Sequence, residues 1–213
     1  MLRQWYDTRP CEHDGIQVQK RMNMLMKELF RKAIHMCAAL VPLLLHFAYY
    51  PVMVLLALML IFYCIAEWCR FRGRWIPVIS PITMAAARKR DENKFVLGPA
   101  TLATGVWLTA ALYPALPAAV GICALAFGDG LASLVGKCFG RVRIPFTGGK
   151  TVAGSLACFV AIFCSSYLLT ERADVGLGCG LVGMAFELVP LKDMDNLVIP
   201  IVIASFCHFY FHI

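Results

Sequence analysis

A chain of 213 residues with 60% hydrophobic and only 15% charged side chains is too apolar for an ordinary soluble domain, because such domains carry about 25% charged residues. Its mean hydropathy of +0.71 instead indicates an integral membrane protein. The net charge of +7 needs no nucleic-acid partner, since basic segments of a membrane protein attract anionic headgroups. The 10 cysteines contain no C-x-x-C pair, which disfavours a zinc-thiolate site.

The first 33 residues are polar and lack the short apolar run and small-residue cleavage site of a secretory signal. Within them, residues 16–31 (IQVQKRMNMLMKELFR) predict an amphipathic surface helix with Ile16, Met22, Met26 and Leu29 facing lipid. We therefore expect a cytoplasmic amphipathic tail, residues 1–33, followed by a transmembrane catalytic domain, residues 34–213.

The remainder of the chain is a series of apolar segments, most of them close to the length that crosses a bilayer. The predicted fold class is therefore an all-α, polytopic membrane protein with about seven transmembrane helices and an N-terminal amphipathic helix. The predicted spans are Ile34–Tyr49, Val52–Trp68, Val96–Tyr113, Ala115–Val135, Val152–Leu169, Gly176–Leu191 and Leu197–Phe211.

Basic residues lie almost entirely on one side of this seven-span arrangement. Of the 20 lysines and arginines, all but Arg172 fall in the tail, in the loops at residues 69–95 and 136–151, or at Lys192 after the sixth span. The positive-inside rule places these segments in the cytoplasm. We expect a multi-pass protein whose N-terminus and active site face the cytoplasm, in a bacterial inner membrane.

The fourth span carries an aspartate, Asp129, inside an otherwise apolar and glycine-rich stretch. A carboxylate in that setting costs several kcal/mol unless a cation, water or another polar group meets it. Gly128 and Gly130 flank the aspartate and weaken the helix, so we expect a kinked or unwound segment around it. Gly128, Ala132, Gly136 and Gly140, spaced four apart, predict close approach of a neighbouring helix.

A glycine-rich turn, Gly148-Gly149-Lys150-Thr151, opens the fifth span. The free N–H groups and the dipole at a helix N-terminus favour an anion, and Lys150 adds a mobile charge suited to phosphate. The turn is not a Walker A loop, because that motif needs a glycine five positions before Gly149, and this chain has Ile144 there. Thr151 is equally suited to capping the helix, and Gly154 and Ser155 to packing or to phosphate.

Further acids follow near the same side of the membrane. Glu187 lies about one turn before the end of the sixth span, and Asp195-Asn196 precede the seventh. Asp195 or Asn196 could simply cap a helix. Together with Asp129, however, Glu187 and Asp195 suit a hard cation such as Mg²⁺, which would in turn hold a triphosphate.

These residues form a pattern that resembles the CTP-dependent lipid kinases, which comprise dolichol kinase, phytol kinase and the CTP-using diacylglycerol kinase. The resemblance extends from about Lys27 over nearly the whole chain. The motifs that carry it are Arg31-Lys32-x-x-His35, Glu67-x-x-Arg70, Gly128-Asp129, Gly136-x-x-x-Gly140, Lys150-Thr151-x-x-Gly154-Ser155, Glu187 and Asp195-Asn196-Leu197-x-Ile199-Pro200.

The resemblance implies an integral-membrane kinase of lipid metabolism and phospholipid biosynthesis. Such an enzyme transfers the γ-phosphate of CTP to the hydroxyl of a lipid alcohol (polyprenol, phytol or diacylglycerol) with a divalent cation. The resemblance assigns catalytic roles to Asp129, Lys150 and Glu187, and metal binding to Asp129, Glu187 and Asp195. The nucleotide-binding residues that it implies are Gly128, Lys150, Thr151, Gly154, Ser155, Asn196, Arg31 and Lys32. The partners expected are thus a membrane lipid alcohol and a nucleotide, with no nucleic acid. The oligomeric state is unknown from the sequence.

Two other functions remain open on the sequence. Phosphatidate cytidylyltransferase, which makes CDP-diacylglycerol, also resembles the Gly-Asp and Lys-Thr-x-x-Gly-Ser blocks, but nothing after Glu187 matches its C-terminal signature. A small transporter could use intramembrane acids and broken helices. The spans contain no obvious inverted repeat, which disfavours that function.

Overall fold

The computed structural model describes residues 22, 25–74, 76–77, 81, 83–84 and 94–212. These described residues form seven principal helices and no strand, which confirms the all-α prediction. The helices are α1 (Leu25–Phe47), α2 (Tyr49–Phe71), α3 (Leu97–Leu112), α4 (Ala115–Phe139), α5 (Val152–Thr170), α6 (Ala173–Leu188) and α7 (Asp195–Tyr210).

Four of these helices, α1, α2, α4 and α5, are long and apolar enough to cross a membrane. Helices α3 and α7 are apolar but shorter, at 16 residues each, and a 16-residue helix is about 24 Å long against a hydrocarbon core of about 30 Å. The described residues therefore agree with the predicted polytopic membrane fold.

The first helix begins earlier than the predicted span. Residues 25–33 are the first turns of α1 and continue without a break past residue 34, through a short 3₁₀ stretch at Cys37–Ala39. Met22, Met26 and Leu29 are exposed, as an amphipathic segment requires, whereas Ile16 and the rest of the tail lie outside the described residues. Residues 25–33 of the tail and the first span thus form one helix.

Helix α4 is the central helix of the bundle. It packs against α1, α3, α5 and α7, and 61% of its most apolar stretch is buried, compared with 11% in α1 and 17% in α2. Val120, Ile122 and Leu125 have no exposed surface. Asp129 therefore lies on the helix that the others surround.

The centre of α4 departs from regular α-helix. Residues Ala124–Asp129 form a π-helical turn, a wider turn that occurs mostly as a single insertion and frequently at functional sites. The glycine-flanked segment is therefore irregular, as the sequence predicts, but it stays helical and does not unwind.

A short hairpin joins α4 to α5. Its two arms pair through hydrogen bonds from Ile144 N–H to the Lys150 carbonyl (2.8 Å) and from Val152 N–H to the Val142 carbonyl (3.0 Å). Gly148 and Gly149 turn the chain back with φ values of +72° and +97°, which glycine adopts without the steric cost that a side chain would impose. The hairpin thus brings Lys150 back over the end of α4.

Candidate active site

A cavity of about 580 Å³ lies where α4 and α6 end and where α1, α5 and α7 begin. The basic side chains that line it within the described part of the chain are Arg31, Lys32, Lys137, Lys150 and Lys192, and the acidic ones are Glu28, Asp129, Glu187 and Asp195. A membrane helix bundle seldom carries so many ionisable groups in one place without a function. The cavity is therefore the candidate active site.

Asp129 receives its polar partner from α1. The ammonium group of Lys32 forms an ion pair with the Asp129 carboxylate, although Lys32 is only 3% exposed. His35 Nε2 lies 3.4 Å from the same carboxylate and 3.3 Å from the carbonyl of Leu125 in the π-helical turn. The carboxylate that the sequence required to have a partner is thus held by two residues of the Arg31-Lys32-x-x-His35 motif.

A second ion pair closes the opposite wall. Lys150 Nζ lies 3.1 Å from Glu187 Oε1, and the Ser155 hydroxyl donates to Glu187 Oε2 at 3.2 Å. Because Glu187 is buried, these contacts provide the partners that its carboxylate needs. The structure therefore brings together Lys150 just before α5, Ser155 on α5 and Glu187 on α6.

The N-terminus of α5 opens toward the cavity. Thr151 caps the helix by accepting a hydrogen bond from Gly154 N–H at 3.2 Å, which is the capping role that the sequence offered for it. A Cβ placed on Gly154 would lie 2.8 Å from the carbonyl oxygen of Ala132. Glycine at this position lets α4 and α5 touch, and this contact fixes the start of α5 beside the acids of the cavity.

Asp195 is the first residue of α7 and precedes the predicted seventh span. Its carboxylate accepts a hydrogen bond from Asn196 N–H at 2.9 Å, and no described basic side chain forms an ion pair with it. Burial, together with the negative charge of Asp129, raises the pKa of Asp195 to about 6. A cation in this part of the cavity would stabilise the ionised form.

The acids of the cavity suit Mg²⁺ in kind, since all offer oxygen ligands. Among the described residues, no group of three potential ligands converges as a ready-made metal site, and Asp129 and Glu187 each face a lysine. Mg²⁺ in phosphate-transferring sites usually takes one or two carboxylates and completes its shell with water and phosphate oxygens. Asp195 with Asp129 fits that requirement.

Gly128 and Asn196, which the resemblance assigns to nucleotide binding, do not line the cavity. Gly128 faces α5, where an added Cβ would meet the Ile162 side chain at 2.8 Å. The Asn196 amide donates to the Gly98 carbonyl and the Thr101 hydroxyl of α3, both at 3.3 Å. Both residues pack helices together, and their predicted contact with nucleotide stays a prediction.

The Glu67-x-x-Arg70 motif joins α2 to the start of α3. Glu67 is fully buried, accepts hydrogen bonds from Arg70 at 2.5 and 2.8 Å, and accepts another from Val96 N–H at 2.7 Å. Arg70 also donates to the Lys94 carbonyl at 2.8 Å. This pair holds residues 94–96, directly before α3, against the end of α2. It does not line the cavity.

Sequence reasoning missed Glu28, Ser133 and Lys137, which all line the cavity. Glu28 and Lys32 are four residues apart and so share a face of α1, and Asp129, Ser133 and Lys137 share a face of α4 in the same way. That periodicity was the available signal. It was hidden because Glu28 lies in the segment that the sequence predicts to be an amphipathic surface helix, in which a polar face is expected.

Comparisons with characterised proteins find lipid kinases. "Probable phytol kinase 2, chloroplastic" of Oryza sativa subsp. japonica is 28% identical over 132 residues, covering 54% of this chain and 43% of that protein. "CTP-dependent diacylglycerol kinase 1" of Schizosaccharomyces pombe is 28% identical over 155 residues, covering 65% of this chain and 69% of that protein. "Farnesol kinase, chloroplastic" of Arabidopsis thaliana is 32% identical over 82 residues, covering 38% of this chain and 27% of that protein.

The matched region thus spans less than half the length of the phytol kinase and about a quarter of the farnesol kinase. No protein-family model matches the chain, and no solved structure gives a significant match. The matches confirm the resemblance to the CTP-dependent lipid kinases, and the chain is a homologue of kinases named for phytol, farnesol and diacylglycerol.

Proposed function

We propose that this protein is a membrane kinase that transfers the γ-phosphate of CTP to the hydroxyl of a lipid alcohol. The observation that carries the proposal is the cavity, in which a helix N-terminus and several basic side chains face carboxylates inside a membrane helix bundle. CTP is proposed as the donor because one of the homologues is named as CTP-dependent. Phytol, farnesol and diacylglycerol, which name the relatives, are all lipids with a hydroxyl group.

The phosphates of the nucleotide bind at the start of α5. Lys150 and the Gly148-Gly149 turn line the cavity there, and a helix N-terminus stabilises an anion through its dipole. Arg31, across the cavity on α1, supplies a planar guanidinium that can hold two phosphate oxygens at once. Binding of phosphate at Lys150 replaces part of its interaction with Glu187.

A divalent cation, when bound, would neutralise phosphate charge as it moves to the leaving CDP. Asp195 and Asp129 would hold it, with Glu187 as the third acid that the sequence assigned to the metal. Phosphoryl transfer depends mainly on positioning and on such electrostatic stabilisation. The protein's task is then to keep these carboxylates ionised and aimed into one cavity.

The lipid alcohol keeps its apolar body in the bilayer and places its hydroxyl at the cavity. The hydroxyl oxygen attacks the γ-phosphorus, the bond to the bridging oxygen breaks, and CDP leaves. Asp129 accepts the hydroxyl proton, since Lys32 holds its carboxylate in the ionised form that a general base needs. Lys32 also offers a positive charge next to the transferred phosphoryl group.

The test is transfer of label from γ-labelled CTP into extractable lipid, using purified protein in detergent with phytol, farnesol, polyprenol and diacylglycerol as separate acceptors. We expect transfer to at least one alcohol, and a loss of at least about 100-fold in both Asp129→Asn and Lys150→Ala. Glu171→Gln is the matched control, because Glu171 is exposed at the other end of α5. Near-native transfer in either site variant would contradict the proposed roles.

The same preparation separates the alternatives. With phosphatidate as acceptor, incorporation of α-labelled CTP into lipid would support the cytidylyltransferase in place of the kinase. Binding of nucleotide with no label in any lipid would overturn both transferase assignments and favour a transporter.

A further inference from the structure

We propose that Glu28 is a positioning residue that clamps α1 onto α4 and sets Arg31 and Lys137 beside the phosphates of the nucleotide. This inference rests on the proposed function for the ligand, but the clamp itself is independent of any reaction. The motifs that carry the family resemblance begin at Arg31 and do not include Glu28.

The contacts of Glu28 are those of a buried junction. Glu28 is only 8% exposed. Its carboxylate accepts hydrogen bonds from the Arg31 guanidinium at 2.5 Å and from the Ser133 hydroxyl at 2.6 Å. The Lys137 ammonium lies 2.7 Å from its other oxygen. One acid thus gathers one group from its own helix and two from α4.

The junction belongs to a longer polar seam between the two helices. Glu28, Lys32 and His35 lie at i, i+4 and i+7 on α1, and they meet Lys137, Asp129 and the Leu125 carbonyl in that order on α4. The charges alternate across the seam, with acid to base at one contact and base to acid at the next. Such a seam fixes both the direction and the register of α1 against α4.

Apolar packing alone would fix α1 only weakly. Only 11% of its most apolar stretch is buried, and Leu25, Met26, Leu29 and Phe30 are exposed large side chains around Glu28. Since lipid satisfies such side chains as well as protein does, the polar seam is what holds the first turns of α1 in place.

The seam leaves a positive charge for the ligand. Arg31 and Lys137 share one carboxylate, so this corner of the cavity keeps one excess positive charge. The Lys137 side chain is 49% exposed and Arg31 21%, which leaves both able to reach phosphate oxygens. Glu28 therefore orients two basic side chains while neutralising only one of their two positive charges.

The first test is the kinetics of Glu28→Gln, an isosteric change that removes the charge. We expect KM for the nucleotide to rise about tenfold, with KM for the lipid alcohol unchanged and kcat reduced by less than about threefold. Glu28→Asp should recover part of the affinity, and Glu171→Gln should behave as native. A variant that is merely misfolded would lose kcat and both affinities together, and that result or a native nucleotide KM would overturn the proposal.

A double variant tests whether Glu28 acts through its partner. Lys137→Met alone should weaken nucleotide binding, and adding Glu28→Gln should weaken it by less than Glu28→Gln does in the native background. Fully independent effects would contradict a shared role.

Hydrogen exchange tests the clamp without turnover. Amides of residues 25–33 should exchange at least about tenfold faster in Glu28→Gln than in the native protein, while those of α5 stay unchanged. If exchange responds but the native protein transfers no phosphate, the clamp stands and the proposed kinase function falls. Unchanged exchange would remove the clamp whatever the enzyme does.

Discussion

At the scale of single residues, the site consists of opposite charges held in pairs. Lys32 of α1 pairs with Asp129 of α4, and Lys150, in the hairpin before α5, pairs with Glu187 of α6. A buried charge that loses its partner is strongly destabilising, whereas replacing both members by neutral groups is much less so. The pairs therefore stabilise the packing of the bundle and also supply charged groups that a ligand can bind.

This difference gives a prediction about stability. Lys32→Met should lower the free energy of unfolding by about 3–5 kcal/mol, because the Asp129 carboxylate is left without its ammonium partner. The double variant Lys32→Met/Asp129→Asn should recover most of that loss and still fail to transfer phosphate. Thermal unfolding in detergent, with the transfer assay beside it, measures both quantities. Equal instability of the single and double variants would show that the ion pair is not the cause.

The residues of the site could be foreseen to different extents. Asp129, Lys150 and Glu187 were predicted because a charge in an apolar or glycine-rich setting stands out in the sequence. The pairing of Asp129 with Lys32 was not, because the register of α1 on α4 is a tertiary property. The family resemblance implies that Asn196 binds nucleotide, yet its amide bonds to the carbonyl of Gly98 on α3. Nothing in the neighbouring sequence distinguishes the two roles.

At the scale of helices, the close approach of α4 and α5 positions the start of α5. The contact depends on small residues, since a Cβ at Gly154 would stand 2.8 Å from the Ala132 carbonyl oxygen and 3.3 Å from the Cα of Gly136. Backbone atoms cannot move aside as a side-chain end can. The distance between these two helices is thus set by glycine.

Gly154→Ala should therefore separate α4 from α5 and shift Lys150. We expect a loss of about 1–3 kcal/mol of stability and a clear loss of phosphate transfer. Gly98→Ala is the matched control, because an added Cβ there meets no atom within 4 Å. Native activity in Gly154→Ala at reduced stability would mean that the α4–α5 distance does not govern the site.

The helices themselves followed well from hydrophobicity. The predicted and observed bounds of the fourth and fifth spans begin at the same residues, Ala115 and Val152. The first helix begins before its predicted span because polar residues on one face do not end a helix whose other face is apolar. The hydropathy pattern thus located the helices but not the polar extension of α1.

At the scale of the whole molecule, the cavity lies at one end of the bundle and the loop between α5 and α6 at the other. Helix α5 has 19 residues, which separates its ends by about 28 Å. The basic segments at residues 136–151 and Lys192 lie on the cavity side, and Arg172 lies on the opposite side. The positive-inside rule thus predicts that the cavity faces the cytoplasm.

Membrane-impermeant maleimide tests this orientation. Cys138 is exposed near the cavity end of α4, and Arg172→Cys supplies a matched thiol at the opposite end, each in a chain with its other cysteines replaced. In intact cells, Arg172→Cys should be labelled and Cys138 protected until the membrane is opened. The reverse pattern would invert the topology. The relatives come from plants and a fission yeast, so the bacterial inner membrane stays a prediction.

The π-helical turn of α4 determines how the remainder of that helix, Gly130–Phe139, is rotated about its axis. Each residue of an α-helix advances by about 100° around the axis, and a π turn takes up one residue more than an α turn. Were the same residues wound as uninterrupted α-helix, Asp129, Ser133 and Lys137 would swing together through about that angle and leave Lys32 and Glu28 at once. The turn Ala124–Asp129 therefore determines which side of the following residues faces α1. Both contacts with α1 depend on this turn, so they are gained or lost together.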